Sequence, residues 1–206
     1  MLPKIPPLSV LLLILTVLPA SFARAQVAVT AIGDRTLDVP VDPARITIAR
    51  DAWGIAHVHG PTDAEAAYGL AWATAEDDFA SMQQTLLAVK GRLGEVEGKE
   101  GAILDVVAFL IDTRGIVERY YGSGGPEDLS PDFERLMAWY AAGVNAYAEA
   151  HPEEVLRDGI FPVSVADMLE AHVLGVAGMC GLDLALLKVF EGTIARFESD
   201  YEERGS

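Results

Sequence analysis

Four histidines, one cysteine and a short run of carboxylates are the side chains in this chain with the most chemistry to offer. His57 and His59 stand two residues apart. On a strand they share a face, which is how a metal site can begin, but a third ligand must then come from elsewhere in the fold. Glu76, Asp77 and Asp78 are near in sequence, and solvated or core-edge histidines are the plainer reading. Three successive carboxylates fan out around a helix axis, which favours a solvated or hydrogen-bonded role over paired acid–base work. Arg50 and Asp51 are adjacent, so on a strand they face opposite sides. They suit pinning a turn better than passing a proton to each other. His172 sits on an apolar helix face and reads as a hydrogen-bonded core histidine. His151 precedes Pro152 and reads as a helix-end residue. Cys180 lies between Met179 and Gly181, and its apolar setting reads as a buried, inert thiol. A single cysteine forms no internal disulfide. Gly205-Ser206, taken alone, is a tail.

The elements that must position these groups follow from periodicity. Ile46, Ile48 and Arg50 alternate with Thr47, Ala49 and Asp51, and Ile55, His57 and His59 alternate again after Gly54. A hairpin is expected there. Thr62 and Glu65 have capping-box spacing, and a helix is expected over 63–91 with Phe79, Met82, Leu86, Val89 and Leu93 on one face. Gly69 interrupts that helix and permits close packing on the strands. A second helix is expected over 102–113, burying Ile103, Val106, Val107 and Leu110. Ser130-Pro131 starts a third and His151-Pro152 stops it. Ser164 with Asp167 caps a fourth, whose apolar side carries Met168, Leu169, His172, Val173 and Val176. A last helix is expected from Leu182, ending in Glu198, Asp200, Glu202 and Glu203. The fold class is α+β, mainly helical with an N-terminal strand pair. Two strands make a poor sheet by themselves, which points to more strands from a partner.

The chain has 206 residues, 51% of them hydrophobic, enough for one domain with a sizeable core. Its net charge of −16 argues against nucleic acid and anionic membrane as partners. Residues 1–25 read as a signal peptide: Lys4 is the basic start, Leu8 to Leu18 the apolar run, and Ala23-Arg24-Ala25 the cleavage site. The apolar run is too short to span a bilayer. Cleavage leaves residues 26–206, and export to a periplasm is expected. An uncleaved anchor is the alternative.

Ile48-x-Arg50-Asp51-x-x-Gly54-Ile55-x-His57-Val58 is followed by Asp63-Ala64-x-Ala66-x-x-Gly69 and by Ala75-Glu76-Asp77-Asp78-Phe79. This ordered series resembles the opening of the penicillin amidase family of N-terminal-nucleophile hydrolases. The last run is closer to the N-acyl-homoserine lactone acylase branch than to the penicillin G acylases. Weaker likeness continues through residues 140–147. The resemblance implies an αββα fold completed by a β subunit absent from this chain. It also implies a precursor that cuts itself before a serine, and Gly205-Ser206 looks like that junction. Ser206 is then the catalytic nucleophile. A serine hydroxyl needs a base. A freed α-amino group titrates near ~7.7–8.0 and can serve as that base. Within this polypeptide the Ser206 amine is locked in a peptide bond, so the chain alone is expected to be silent. The resemblance also places Val176 and Met179 at an acyl pocket, with plain packing as the other reading. No glutamate matches the family's calcium ligand in Met179-Cys180-Gly181-Leu182-Asp183, so no cofactor or metal is assigned.

The function expected on this ground is the α-chain share of a secreted amidohydrolase acting on N-acyl-homoserine lactones or related acyl amides. Penicillin- or cephalosporin-type amides are the close alternative. A non-enzymatic alternative is an exported, acidic, helical binding protein that folds alone.

Overall fold

The computed structural model describes residues 29–30, 36–37, 40–121, 129–181 and 188. Two short antiparallel pairs come first. β1 (Val29–Thr30) pairs with β2 (Thr36–Leu37). β3 (Thr47–Arg50) pairs with β4 (Ala56–His59) in the register Thr47 to His59 and Arg50 to Ala56. The hairpin turn is held by one carboxylate: Asp51 Oδ1 accepts the N–H of Trp53 at 2.9 Å and of Ile55 at 3.0 Å. Gly54 takes φ +83°, a conformation that costs a glycine little.

α1 (Asp63–Val89) follows. The expected reciprocal capping box does not form at its start. The Thr62 hydroxyl donates to the Glu65 carboxylate, and that buried carboxylate faces Arg45 at 3.4 Å instead of a backbone N–H. The helix breaks at Asp78 (φ −158°, ψ 69°). Asp78 Oδ1 accepts the Ser81 N–H at 3.1 Å, so it caps the second half as an N-cap residue does. Gly69 does admit the strands: a Cβ there would lie 2.7 Å from Ile46 and Val58.

α1 packs against α5 (Pro131–Ala150), which Ser130 caps by accepting the Phe133 N–H at 3.2 Å. The seam is made of small residues. Ala71 and Ala75 meet Ala138, Ala141 and Ala142, all buried. A Cβ on Gly143 would lie 2.4 Å from the Tyr68 carbonyl, so the backbones touch there. At one end the seam turns aromatic. Phe79 meets the edge of Tyr147 at 5.0 Å and stacks on Phe161 at 5.4 Å. Two buried amides fasten the following loops. Gln83 donates to the Glu154 carbonyl at 3.0 Å and accepts the Leu156 N–H at 2.8 Å. Asn145 makes the same paired contact with Val163, at 2.9 and 2.7 Å.

The helix expected over 102–113 is a pair, α3 (Lys99–Ile111) and α4 (Thr113–Tyr121), preceded by the single turn α2 (Gly94–Glu97). Asp112 takes φ +58° and splits them, while its carboxylate accepts the Gly115 N–H at 3.2 Å and pairs with Arg119 at 2.9 Å. Of the four residues expected to be buried, only Val107 is; Ile103 is half-buried, and Val106 and Leu110 are exposed. Periodicity marks a helix's apolar face but not whether another element covers it.

α6 (Val165–Met179) starts with the expected capping box, Ser164 and Asp167 each bonding the other's backbone N–H. Asp167 also pairs with Lys90 at 2.8 Å. Two expectations fail on this helix. His172 and Cys180 are exposed rather than buried, although Val173 and Leu174 on the same stretch still pack on the core. The expected helix from Leu182 and the signal segment fall outside the described residues. Among the described residues, no helix is long and apolar enough to cross a membrane. The fold is mainly helical with short antiparallel strand pairs near its start.

Candidate functional site

Among the described residues, a polar constellation joins the hairpin to α1. Arg50 leaves the end of β3 and meets Asp77 at 2.7 Å, Glu76 at 3.1 Å and the Gly54 carbonyl at 3.0 Å. Both of its terminal nitrogens are thereby engaged. The hydrogen bond it donates to Glu76 leads in holding its charge, against some desolvation. Glu76 also accepts the Trp72 indole N–H at 3.0 Å. The three acids do not simply fan out. The break at Asp78 lets Glu76 and Asp77 converge on one guanidinium, while Asp78 turns back to Ser81.

Asp51 is occupied as well. Burial works to raise its pKa, but the N–H groups of Ile55 and Trp53, with His57 at 3.5 Å, outweigh that and hold it below the usual range. A carboxylate already accepting this many donors is a poor base. The Arg50–Asp51 pair is therefore a brace for the hairpin, with no proton left to exchange. His57 and His59 share the exposed side of β4, and among the described residues no third ligand joins them.

On α6, Glu170 has the most perturbed acid. It is 3% exposed beneath α4, and burial pushes its pKa up to about 7, with Arg114 at 3.5 Å pulling the other way. A cleft of about 300 Å³ runs between α1, α3 and α6, lined by Ala88, Leu93, Val107, Leu174, Gly175 and Gly178 among others. Val176 and Met179 do not line it. They lie one turn apart on the outward side of α6, with Met179 90% exposed. Ser206 is outside the described residues. Of the expected site residues that are described, neither Val176 nor Met179 lines this cleft.

One grouping had no sequence expectation attached to it. His151, read as a helix end, faces Glu153 at 3.8 Å and Glu154 at 3.6 Å, and its ring stacks on Tyr147. The four-residue run from His151 to Glu154 was its only signal, and only the turn after α5 folds those side chains together.

Comparison with known proteins gives this arrangement a context. A penicillin amidase family model matches residues 45–196. Penicillin acylase 2 proenzyme of Pseudomonas sp. strain SE83 is 29% identical over 147 residues, 71% of this chain and 18% of that protein. Acyl-homoserine lactone acylase QuiP of Pseudomonas aeruginosa is 27% identical over 113 residues, 55% of this chain and 13% of that protein. The chain therefore spans less than a fifth of the length of the curated relatives it matches. A thermostable penicillin G acylase from Alcaligenes faecalis superposes with a TM-score of 0.52 at 23% identity, covering 65% of this chain and 73% of the solved one. That likeness extends to the fold. With the family model spanning the hairpin brace, the α1–α5 seam and α6, the chain belongs to the penicillin amidase family.

Proposed function

We propose that the chain is the α-subunit portion of an exported acylase that hydrolyses the amide of N-acyl-homoserine lactones or related acyl amides. A β subunit made from the same precursor completes it. The observation that carries this reading is the family match over residues 45–196, with acylases of both kinds among the relatives. The coverage supports a subunit: the chain meets under a fifth of a proenzyme but most of one solved acylase chain. Ala75-Glu76-Asp77-Asp78-Phe79 favours the lactone branch. The slightly closer proenzyme relative favours a penicillin-type amide, which is the second reading.

In this proposal Ser206 is the nucleophile. Once the precursor is cut before it, its own α-amine takes the hydroxyl proton, and the hydroxyl oxygen attacks the amide carbon. The amine leaving group departs with a proton, and water releases the acid from the acyl-serine. Donors for the oxyanion come from the β subunit. Val176 and Met179 offer exposed apolar surface for the acyl chain. The α1–α5 body holds α6 in place.

The test uses the full-length product of the gene. It is incubated with N-decanoyl-homoserine lactone, a phenylacetyl amide and a glutaryl amide, and the released amines are followed by mass spectrometry. Release from the lactone substrate first, with Ser206→Ala blocking both the cut and the release, is the expected result. Three intact amides overturn the acylase reading. Turnover that survives Ser206→Ala moves the nucleophile elsewhere.

A further inference from the structure

We propose that His151, Glu153 and Glu154 form a divalent-cation site at the end of α5, with zinc as the ion whose chemistry fits. The three ligands come from four consecutive residues, because Pro152 opens a 3-10 turn (Pro152–Glu154) right after the helix. His151 Nδ1 lies 3.6 Å from Glu154 Oε1 and 3.8 Å from Glu153 Oε1. One donor atom from each of the three falls within 4.8 Å of the others. Ligands at zinc bond lengths in a tetrahedron stand about 3.4 Å apart, so closing on the ion takes only small rotations. One imidazole nitrogen with two carboxylate oxygens is a zinc-like set; calcium and magnesium want six or more oxygens. Water fills the open position.

The site is held before any ion arrives. The His151 ring stacks on Tyr147, centroids 4.3 Å apart at 25°, with the edge of Trp72 at 6.1 Å. The Tyr147 hydroxyl donates to Glu154 Oε2 at 3.3 Å, which leaves Oε1 turned toward His151. Beneath them, buried Gln83 ties down the Glu154 carbonyl and the Leu156 N–H. Such outer contacts fix ligand orientation and are worth a large factor in metal affinity. A chain of net charge −16 also draws cations to its surface. The rival account of the same geometry is direct contact between His151 and the two carboxylates with no ion. The two make different predictions for zinc.

The experiment is zinc titration calorimetry on the chelator-stripped full-length protein, in a His57→Ala/His59→Ala background that removes the strand histidines. One zinc per chain is expected. Glu153→Gln changes a side chain that is 70% exposed, so the fold is unaffected, and should weaken zinc by about tenfold or more. His151→Phe keeps a ring on Tyr147 and should abolish the site. Tyr147→Phe should weaken zinc several-fold while leaving all three ligands. Zinc binding that neither Glu153→Gln nor His151→Phe alters, or no saturable zinc at all, leaves the direct contact alone and overturns the proposal. Calcium saturating the site as readily as zinc removes the imidazole from the ligand set and overturns it too.

Discussion

The α1–α5 seam and the α3–α6 flank are both built from apolar residues at helical spacing, yet one is closed and the other open. In the seam, Ala71, Ala141 and Ala142 are buried, and the Tyr68 carbonyl reaches the backbone of Gly143. On the flank, Phe109 is 80% exposed, and Val106, Leu110, Val176 and Met179 are exposed with it. Part of the difference lies in side-chain size at the point of closest approach. Alanine and glycine let two long helices approach until backbone meets backbone, which closes a seam without any third element. Phenylalanine, leucine and methionine hold neighbours apart, and such faces are buried only when something is laid over them.

The largest effect should come from the point of closest approach. Gly143→Ala places a Cβ 2.4 Å from the Tyr68 carbonyl and 2.8 Å from the Ala71 Cβ. Helix propensity alone favours the alanine by up to about 1 kcal/mol. The clash is with backbone, which cannot rotate away, so overpacking should win. A net loss of about 2 kcal/mol in urea unfolding is expected. A stabilised variant would mean that the seam is looser than this geometry and that the contrast with the flank is one of degree.

How much of this was legible beforehand depends on the range of the interaction. The hairpin, its Asp51 pin, the Ser130 and Ser164 caps and the Gly69 contact rest on residues a few positions apart or on a glycine with one evident use, and all were read from the chain. The acids at 76–78 were read in part. A structural role was expected, but their convergence on Arg50 needs the break at Asp78, and no glycine or proline announces that break. Val106, Leu110, His172 and Cys180 were misplaced for one reason. Each lies on an apolar stretch that periodicity marks for burial, while burial depends on a neighbour that sequence pattern does not supply. The site residues suffer most from this. Val176 and Met179 came from likeness to a family, and their place at an acyl pocket rests on what faces α6.

A smaller effect tests the boundary between the two regions, where Glu170 lies buried under α4. Its folded pKa of about 7 stands above the usual 4.5. The folded state therefore holds the proton more tightly than the unfolded chain does. Stability from this group is fully present below about pH 4.5 and is lost as the pH rises through 7. Glu170→Gln keeps the shape and removes the titration. The variant should lose less stability between these limits and exceed the wild type by on the order of 1 kcal/mol at pH 8, Arg114 offsetting the rest. Parallel pH profiles for the two proteins would place Glu170 in a wetter setting and move the edge of the closed region inward.

The smallest effect belongs to the flank itself. Phe109→Ser removes a large ring from a side chain that is 80% exposed, so little apolar area leaves or enters water on folding. In the 206-residue chain the change in unfolding free energy should stay within about 0.5 kcal/mol, the range for surface substitutions. The same substitution in the longer, two-subunit protein proposed above separates two meanings of the open face. If the loss is again negligible, Phe109 is exposed there as well. A loss of 2 kcal/mol or more, near the cost of uncovering a buried large side chain, would show that the ring is covered in the larger protein. The contrast between seam and flank would then be between a contact completed within one chain and a contact completed by the next.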